Sequence, residues 1–399
     1  MTDIQKENKS GGKVPNLRFP EFKEGWAVKK LGEISTNKSK KYNPNNETNF
    51  IKCIELEHLS SETGQLLGFV DGSQSGSIKN VFQKGDVLFG KLRPYLKKYY
   101  QPNFDGVCSS EIWVLNGKEI LNDFLYYLIQ TNSFVDLANQ SSGSKMPRAD
   151  WSILENGLFS FPNSEEQQKI ASFLSLIDER IQTQIKIIEQ LETLIKGLSE
   201  NLFSQKIRFK KFEKKWEVKT LGEILIEINE RTINSNQYRV LSSTAKGLFY
   251  QSDYFNKEVA SKDNAGYKIL KINQLVFSPQ NLWLGNINVN TTYEIGIVSP
   301  SYKVFSFNEK AIVSYCKYFL KSSKMMFEYE QCSEQGASIV RRNLNMDLFL
   351  NIPILLPKLE EQIQISSFLT KIDQKIQTEK AILEQLEIQK KYLLQQMFV

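Results

Sequence analysis

The residue types that carry out covalent catalysis are scarce in this chain. Its single histidine, His58, lies in the stretch IELEHLSS, and any Ser-His-Asp or Cys-His scheme has to use it. The sequence contains neither a G-x-x-x-x-G-K-[ST] phosphate loop nor a G-x-G-x-x-G dinucleotide motif. We therefore predict that His58 is structural and that the chain performs no covalent chemistry itself, with no catalytic residue and no metal ligand.

The segment GKLRPYLKKYY (Gly90–Tyr100) concentrates cationic and aromatic side chains. Lysine and arginine side chains on a turn neutralise phosphates, and an arginine can donate two hydrogen bonds to guanine O6 and N7. The same composition is also typical of a solvated strand edge that lysines protect from aggregation. The candidate DNA contacts in this segment are Lys91, Arg93, Tyr95, Lys97 and Lys98.

Further polar candidates lie on Gly-containing stretches in both halves of the chain. GSKMPRADW adds Ser144, Lys145 and Arg148. In the second half, PQNLWLGNINVN and GASIVRRN hold amides, which pair well with adenine edges, and guanidinium groups. These candidates are Gln280, Asn281, Asn286, Arg341 and Arg342.

The elements that position these residues occur twice. RFPEFKEGWAVKKLGEI (Arg18–Ile34) matches RFKKFEKKWEVKTLGEI (Arg208–Ile224), and Phe161–Phe203 aligns without gaps to Leu356–Phe398 with about half of the positions identical. Between these shared ends the sequences diverge almost completely. We predict a disordered tail (1–17), a globular domain (18–160), a long helix (161–205), a second globular domain (206–355) and a second long helix (356–399).

Both long segments carry apolar residues that alternate spacings of four and three, which is the pattern of a coiled-coil seam. Each narrow seam requires a partner, and the simplest partner is the other helix; the alternative is that each helix lies on its own domain. Ser164 with Gln167 predicts a capping box at the start of the first helix. The predicted seam residues are Ile170, Leu174, Ile177, Ile181, Ile188, Leu191, Ile195 and Leu198 in the first helix, and Ile365, Leu369, Ile372, Ile376, Leu383, Leu386 and Leu393 in the second.

Bulk composition is that of a folded, soluble chain of two or three domains: 399 residues, 41% hydrophobic and 24% charged. A net charge of +6 permits a polyanionic partner without requiring one. The four cysteines are scattered, which favours reduced thiols and a cytoplasmic location, and no run is long enough for a membrane span. The densest basic run, KIRFKKFEKKW (Lys206–Trp216), is basic in only one copy, which favours a solvated or backbone-contacting surface over a shared recognition element.

From about Arg18 onward the chain resembles the specificity (S) subunit of type I restriction–modification enzymes. The resemblance depends on the paired RFxxFxxxW openings, on GDVLFGKLRPYLKKY, and on the P-x-x-EEQ-x-x-I-x-SFL-x-x-ID-x-x-IQT helix starts at Pro162 and Pro357. It implies an α+β protein with two similar mixed domains, which are target recognition domains, and two long helices packed as an antiparallel coiled coil with pseudo-twofold symmetry.

The same resemblance implies a function. Each recognition domain would bind one half of a split site in double-stranded DNA, and the coiled coil would set the unspecified spacer between the halves. Two DNA-adenine methyltransferase (M) subunits and motor–nuclease (R) subunits would be the partners. S-adenosylmethionine, ATP and magnesium would be bound by those partners, with no cofactor on this chain. The second domain has NLWL where the first has LRPY, so the role of Arg93 need not recur there.

Two other classes of function remain open at this stage. A stand-alone DNA nuclease or methyltransferase would turn over substrate without partners. A coiled-coil scaffold without nucleic acid would show no salt-dependent binding to duplex DNA, because only phosphate contacts give a steep loss of affinity with salt.

Overall fold

The computed structural model describes residues 14–46, 49–140, 146–255, 263–335 and 342–399, and packing divides the chain into two units. Unit 1 comprises Met1–Ile185 together with Ala381–Val399, and unit 2 comprises Lys186–Lys380. The domain boundaries predicted from the sequence follow the repeat. The packing units differ from them because each long helix begins in one unit and ends in the other.

Unit 1 contains three antiparallel or mixed sheets within the described residues. Their strand orders are β1-β11, β2-β10-β7-β8 and β3-β6-β9-β4-β5, and the β4–β9 pair is parallel. The strands are β1 (Ala27–Lys30), β2 (Ser35–Thr36), β3 (Lys41–Tyr42), β4 (Lys52–Ile54), β5 (Val70–Asp71), β6 (Lys79–Phe82), β7 (Val87–Gly90), β8 (Tyr99–Tyr100), β9 (Gly106–Cys108), β10 (Ile112–Gly117) and β11 (Leu158–Phe161).

Unit 2 repeats the first two of these sheets. β12-β23 corresponds to β1-β11, and β13-β20-β17-β18 corresponds to β2-β10-β7-β8, whereas the remaining strands form the pairs β14-β15, β16-β19 and β21-β22. The strands are β12 (Glu217–Thr220), β13 (Leu225–Ile228), β14 (Leu241–Thr244), β15 (Gly247–Tyr250), β16 (Lys268–Lys271), β17 (Leu275–Phe277), β18 (Ile287–Val289), β19 (Ile295–Val298), β20 (Lys303–Phe307), β21 (Ser333–Gln335), β22 (Arg342–Leu344) and β23 (Pro353–Leu356).

Short helices cover the sheets, and two long helices follow β11 and β23. The helices are α1 (Leu31–Ile34), α2 (Asn122–Leu128), α3 (Asn132–Ala138), α4 (Trp151–Asn156), α5 (Ser164–Phe203), α6 (Gln251–Tyr254), α7 (Val313–Phe319), α8 (Ser323–Gln331), α9 (Met346–Leu350) and α10 (Leu359–Gln396). Among the described residues, no helix combines the length and the apolar content that a membrane span requires.

The shared motif at the start of each long helix fastens that helix to its unit. Gln167 donates from Nε2 to the Pro162 carbonyl oxygen and accepts from the Leu121 amide, both at 2.8 Å. Gln362 makes the same pair of bonds, to Pro357 and from Ile312. The predicted capping box at Ser164 is wrong, because Asn163 supplies the cap, its side-chain oxygen accepting from the Glu166 amide at 3.0 Å. Gln167 is instead committed to these internal bonds.

The two long helices pack together, and they do so within each unit. In unit 1 the core that contains Ile170 and Leu174 of α5 also contains Leu393 and Met397 of α10. In unit 2 the partners are residues from the other ends of the helices, Leu202 and Phe203 with Ile365 and Leu369. The start of one helix therefore meets the end of the other in each unit, which confirms the antiparallel arrangement.

Each seam position predicted from the sequence is buried or half-buried in the structure. Three polar residues of the long helices, Gln184, Glu379 and Lys390, are also buried. The Lys390 ammonium lies 2.7 Å from the Asp178 carboxylate of α5, so its charge is compensated inside unit 1. Polar groups at such positions favour one register of the helices over others.

Candidate nucleic-acid interface

The cationic segment of unit 1 forms a loop between β7 and β8, which we call the unit 1 loop (residues 91–97). Arg93 and Lys97 adopt the left-handed backbone conformation, with φ of 52° and 47°, on either side of a short 3-10 helix at Pro94–Leu96. Each such residue costs free energy that the surrounding structure must supply. The Arg93 amide donates to the Pro147 carbonyl oxygen at 2.8 Å, which holds the loop in this shape.

Four side chains of the unit 1 loop are available to a ligand. Arg93 and Tyr95 are exposed, and Lys91 and Lys97 are half-buried. None of the four has a side-chain hydrogen bond or ion pair with another described residue. A strained loop that carries three uncompensated cations is suited to bind an anion.

Lys98 and Arg148 differ from these four because each has an internal partner. The Lys98 ammonium donates to the Leu56 carbonyl oxygen at 2.8 Å and is half-buried, which favours a structural role for it. Arg148 remains exposed while its Nε donates to the Glu111 carboxylate at 3.0 Å. Ser144 and Lys145 lie outside the described residues.

A loop at the equivalent place in unit 2 joins β17 to β18, and we call it the unit 2 loop (residues 278–286). The Arg342 amide donates to the Gln280 carbonyl oxygen at 3.2 Å. In unit 1 the Ala149 amide makes a similar bond to the Lys91 carbonyl oxygen at 2.8 Å. Each unit therefore holds its loop by a backbone bond from the segment that precedes α4 in unit 1 or α9 in unit 2.

The unit 2 loop presents amides rather than ammonium groups. Gln280 is exposed and Asn281 is half-buried, and neither side chain has a polar partner among the described residues. Asn286 was predicted as a third contact, but it is only 7% exposed and its side-chain oxygen accepts from the Ser243 hydroxyl at 2.7 Å. Asn286 thus stabilises the loop through a buried hydrogen bond with Ser243. Arg341 lies outside the described residues.

Arg342 is held in a defined orientation beside the unit 2 loop. Its guanidinium carbon lies 4.3 Å from the centre of the Trp283 ring, and its Nη2 donates to the Glu330 carboxylate at 3.0 Å. Stacking on an aromatic ring fixes the plane of a guanidinium group, which favours two-pronged hydrogen bonding to a planar partner. Trp283 and Glu330 were not among the predicted residues. The replacement of LRPY by NLWL was a signal for Trp283, and no motif pointed to Glu330.

The residues that could carry covalent chemistry are engaged elsewhere. His58 caps a 3-10 helix, its Nδ1 accepting from the Glu55 amide at 3.0 Å. All four cysteines are buried, and burial raises the pKa of Cys53 to about 12, so its thiolate is not populated at neutral pH. Within the described residues no cluster of histidine, cysteine, aspartate or glutamate could hold a metal ion.

Two units of one plan, each with a polar loop held by a backbone bond, define a protein with two related domains. The sequence family described as type I restriction modification DNA specificity domain matches residues 23–193 and again residues 213–388. The chain belongs to this family and contains two copies of its domain.

Curated relatives are specificity subunits. The chain is 26% identical to the type I restriction enzyme MjaVIII specificity subunit of Methanocaldococcus jannaschii over 375 residues, which cover 86% of this chain and 80% of the relative. It is 30% identical to the MjaIX subunit of the same organism over 238 residues, and 26% identical to the EcoDI subunit of Escherichia coli over 196 residues. These two alignments span 53% and 48% of this chain and 54% and 44% of the relatives, or about half their length.

Solved structures support the same fold. A chain from a study of complex assembly and conformational transition in a type I restriction–modification system superposes with a TM-score of 0.58 at 18% identity, covering 95% of this chain and 98% of that one. The S subunit from M. genitalium superposes with a TM-score of 0.56 at 15% identity, and the match covers 97% of this chain and 99% of that one. The α+β fold with two long packed helices is therefore shared at low sequence identity.

Proposed function

We propose that this chain is the DNA-binding specificity subunit of a type I restriction–modification complex, in which each unit recognises one half of a bipartite duplex site. The observation that carries this proposal is the repeated loop connection. In each unit the loop accepts a backbone hydrogen bond near its start, on Lys91 from Ala149 and on Gln280 from Arg342, yet the side chains of the two loops differ. A shared scaffold with different polar side chains is what two unlike half-sites require.

The side chains of the two loops differ in the bases to which they can donate or from which they can accept hydrogen bonds. In unit 1, Arg93 can donate two hydrogen bonds to a guanine while Lys91 and Lys97 neutralise phosphates. In unit 2, Gln280 and Asn281 can pair with adenine edges, and Arg342 offers a second guanidinium group. Each correct base pair adds roughly 1–3 kcal/mol of discrimination, so two short half-sites together give a selective long one.

The packed long helices would fix the distance between the half-sites. A flexible connection would tolerate many spacers, whereas a helix of fixed length rises about 1.5 Å per residue and does not. The ion pair between buried Lys390 and half-buried Asp178 supports one register of α10 against α5. We propose that this register determines the number of unspecified base pairs.

Catalysis would belong to partner subunits. Two DNA-adenine methyltransferase subunits and motor–nuclease subunits would assemble on the chain in the cytoplasm and would bind S-adenosylmethionine, ATP and magnesium. The chain itself would direct methylation and cleavage without a catalytic residue of its own. The engaged His58 and the buried thiols support this division of labour.

Sequencing the methylated adenines in DNA modified by the assembled complex tests the proposal. We expect one bipartite motif with a constant unspecified spacer. A continuous motif, or methylation without sequence preference, would contradict it. The purified chain alone should be inert with S-adenosylmethionine or with ATP and magnesium, and turnover by it would favour a stand-alone enzyme.

A further inference from the structure

The segment from Lys206 to Lys215, which we call the lysine segment, connects the end of α5 to β12. It contains five lysines, at positions 206, 210, 211, 214 and 215, and all five are exposed. Glu213 is the only acidic residue in the segment, and Arg208 is neutralised by Glu361, with Nε and Nη2 at 2.7 and 2.8 Å from its oxygens. The segment therefore forms a strongly positive part of the surface of unit 2.

The backbone of the lysine segment is held in place by contacts with α10 and by hydrogen bonds within the segment. Phe209 packs edge-on against Phe368 of α10 at 5.9 Å, and Arg208 also donates to the Lys214 carbonyl oxygen. The Phe212 amide donates to the Phe209 carbonyl oxygen at 3.0 Å, which closes a turn. The lysines thus project from an ordered segment rather than from a free linker.

Four of the five ammonium groups have no partner within the described part of the chain. Lys211 donates to the Gln364 side chain at 3.1 Å, whereas Lys206, Lys210, Lys214 and Lys215 make no side-chain hydrogen bond or ion pair with any described residue. Like charges within one ten-residue segment repel one another in the free protein. A polyanion that binds here relieves that repulsion.

The equivalent stretch of unit 1 lacks this charge. Pro20, Glu21, Glu24 and Gly25 stand where unit 2 has Lys210, Lys211, Lys214 and Lys215. Glu21 is moreover paired with Lys169 of α5. The scaffold beneath is the same in both units, since Arg18 and Arg208 bind Glu166 and Glu361 alike. The charge is therefore a property of unit 2 alone.

We propose that the lysine segment binds the phosphate backbone of duplex DNA, as a contact separate from the base-recognising loops. This inference rests on the proposed function, because it assumes that unit 2 binds DNA. A protein partner is the other candidate for this surface. Two identical partner subunits, one docked on each unit, would need surfaces of similar charge on both units. The lysine segment differs in charge from its equivalent in unit 1, so it is not part of such a repeated docking surface. DNA carries uniform phosphates along its length, and compact hydrated ammonium groups suit such sequence-independent contacts.

The test replaces Lys206, Lys210, Lys214 and Lys215 by Gln in the full-length chain and measures binding to duplex DNA against salt concentration. Each lost phosphate contact reduces the slope of log K against log salt by about 0.9, so the fourfold variant should lose up to about 3.6. The double variant Lys214→Gln with Lys215→Gln should lose about half of that. The methylated sequence should not change in either variant.

A matched control removes the same charge without touching the lysine segment. Lys186, Lys310, Lys324 and Lys371 are exposed lysines of unit 2 whose side chains have no polar partner among the described residues. Their replacement by Gln should leave the slope nearly unchanged. An equal loss of slope in this control would overturn the inference, because net charge alone would then explain the effect.

Three further outcomes are decisive. An unchanged slope in the fourfold variant, with thermal unfolding like that of the wild type, overturns the inference while leaving the proposed function intact. An unchanged slope combined with loss of the methyltransferase subunits on purification also overturns it and assigns the segment to an acidic protein surface. Absence of salt-dependent duplex binding in the wild type contradicts the proposed function itself.

Discussion

Arg18 donates two hydrogen bonds of 2.7 Å to Glu166, from Nε and Nη2 to the two carboxylate oxygens. Trp26 donates from Nε1 to the same carboxylate at 3.3 Å. The segment that opens unit 1 is thereby joined to the first turn of α5. Arg208, Trp216 and Glu361 repeat the arrangement in unit 2. This buried triad explains why the RFxxFxxxW opening and the EEQ helix start occur together in both halves of the sequence.

Replacing Arg18 by Ala should destabilise unit 1. The Glu166 side chain is 1% exposed, so the change leaves a buried carboxylate with only the Trp26 donor, a loss typically of about 3–5 kcal/mol. Hydrogen exchange should accelerate in β1 and β11 and remain unchanged in β12 and β23. Arg208→Ala is the matched variant and should reverse the pattern. Equal acceleration in both units would contradict the assignment of the triads to separate units.

The cysteine thiols should report unfolding of each unit separately. Burial raises the pKa of Cys53 to about 12 and shifts the pKa of Cys108, Cys316 and Cys332 in the same direction. At pH 8 the folded chain should therefore react slowly with a thiol reagent, whereas the unfolded chain reacts faster as pH rises toward the ordinary thiol pKa. Mass spectrometry after alkylation locates the labelled cysteines. Rapid labelling of the native protein would disprove the burial of these thiols.

Arg93 should contribute to DNA binding through its side chain and to folding through its backbone. At a φ of 52° the left-handed backbone raises the free energy of the folded state by about 1–2 kcal/mol for alanine and by almost nothing for glycine. Arg93→Ala and Arg93→Gly should both weaken DNA binding, but Arg93→Gly should be the more stable of the two. Fluorescence anisotropy and chemical denaturation measure these quantities. If both variants bound DNA like the wild type, the unit 1 loop would have only a structural role.

Arg342 should determine sequence preference in one half-site only. Arg342→Ala should reduce the discrimination between bases at one position of the site by about 1–3 kcal/mol. The sequence preference in the other half-site should remain unchanged. Arg342→Lys keeps the charge but loses the planar fork that stacks on Trp283, so it should retain affinity better than selectivity. Methylated-adenine sequencing checks both variants. Altered preference in both half-sites would contradict the assignment of one unit to each.

The sequence predicted the scaffold better than the binding surface. The 3.5-residue periodicity identified seam positions because helix packing selects apolar residues at fixed spacing. Glu166 and Glu361 belong to the EEQ motif seen in the sequence, but their ion pairs with Arg18 and Arg208 were not predicted. A long-range ion pair leaves no periodic trace, so the structure was needed to find it.

The loops were harder to predict because a polar residue type does not reveal whether its side chain faces inward. Lys98 and Asn286 carry the same groups as Lys97 and Asn281, yet their partners are the Leu56 carbonyl and the Ser243 hydroxyl. The left-handed conformations of Arg93 and Lys97 likewise follow from tertiary hydrogen bonds rather than from local preference. These contacts join residues distant in the chain.

Insertion of one heptad into each long helix tests the central claim most directly. Seven residues placed after Ile185 in α5 and after Lys380 in α10 keep the seam in phase while lengthening both helices by about 10 Å. A single insertion in α5 is the control, and it should destabilise the protein because the seams no longer match. For the double insertion, methylated-adenine sequencing should find the same two half-sites separated by a longer spacer. An unchanged spacer would show that the helices do not set it.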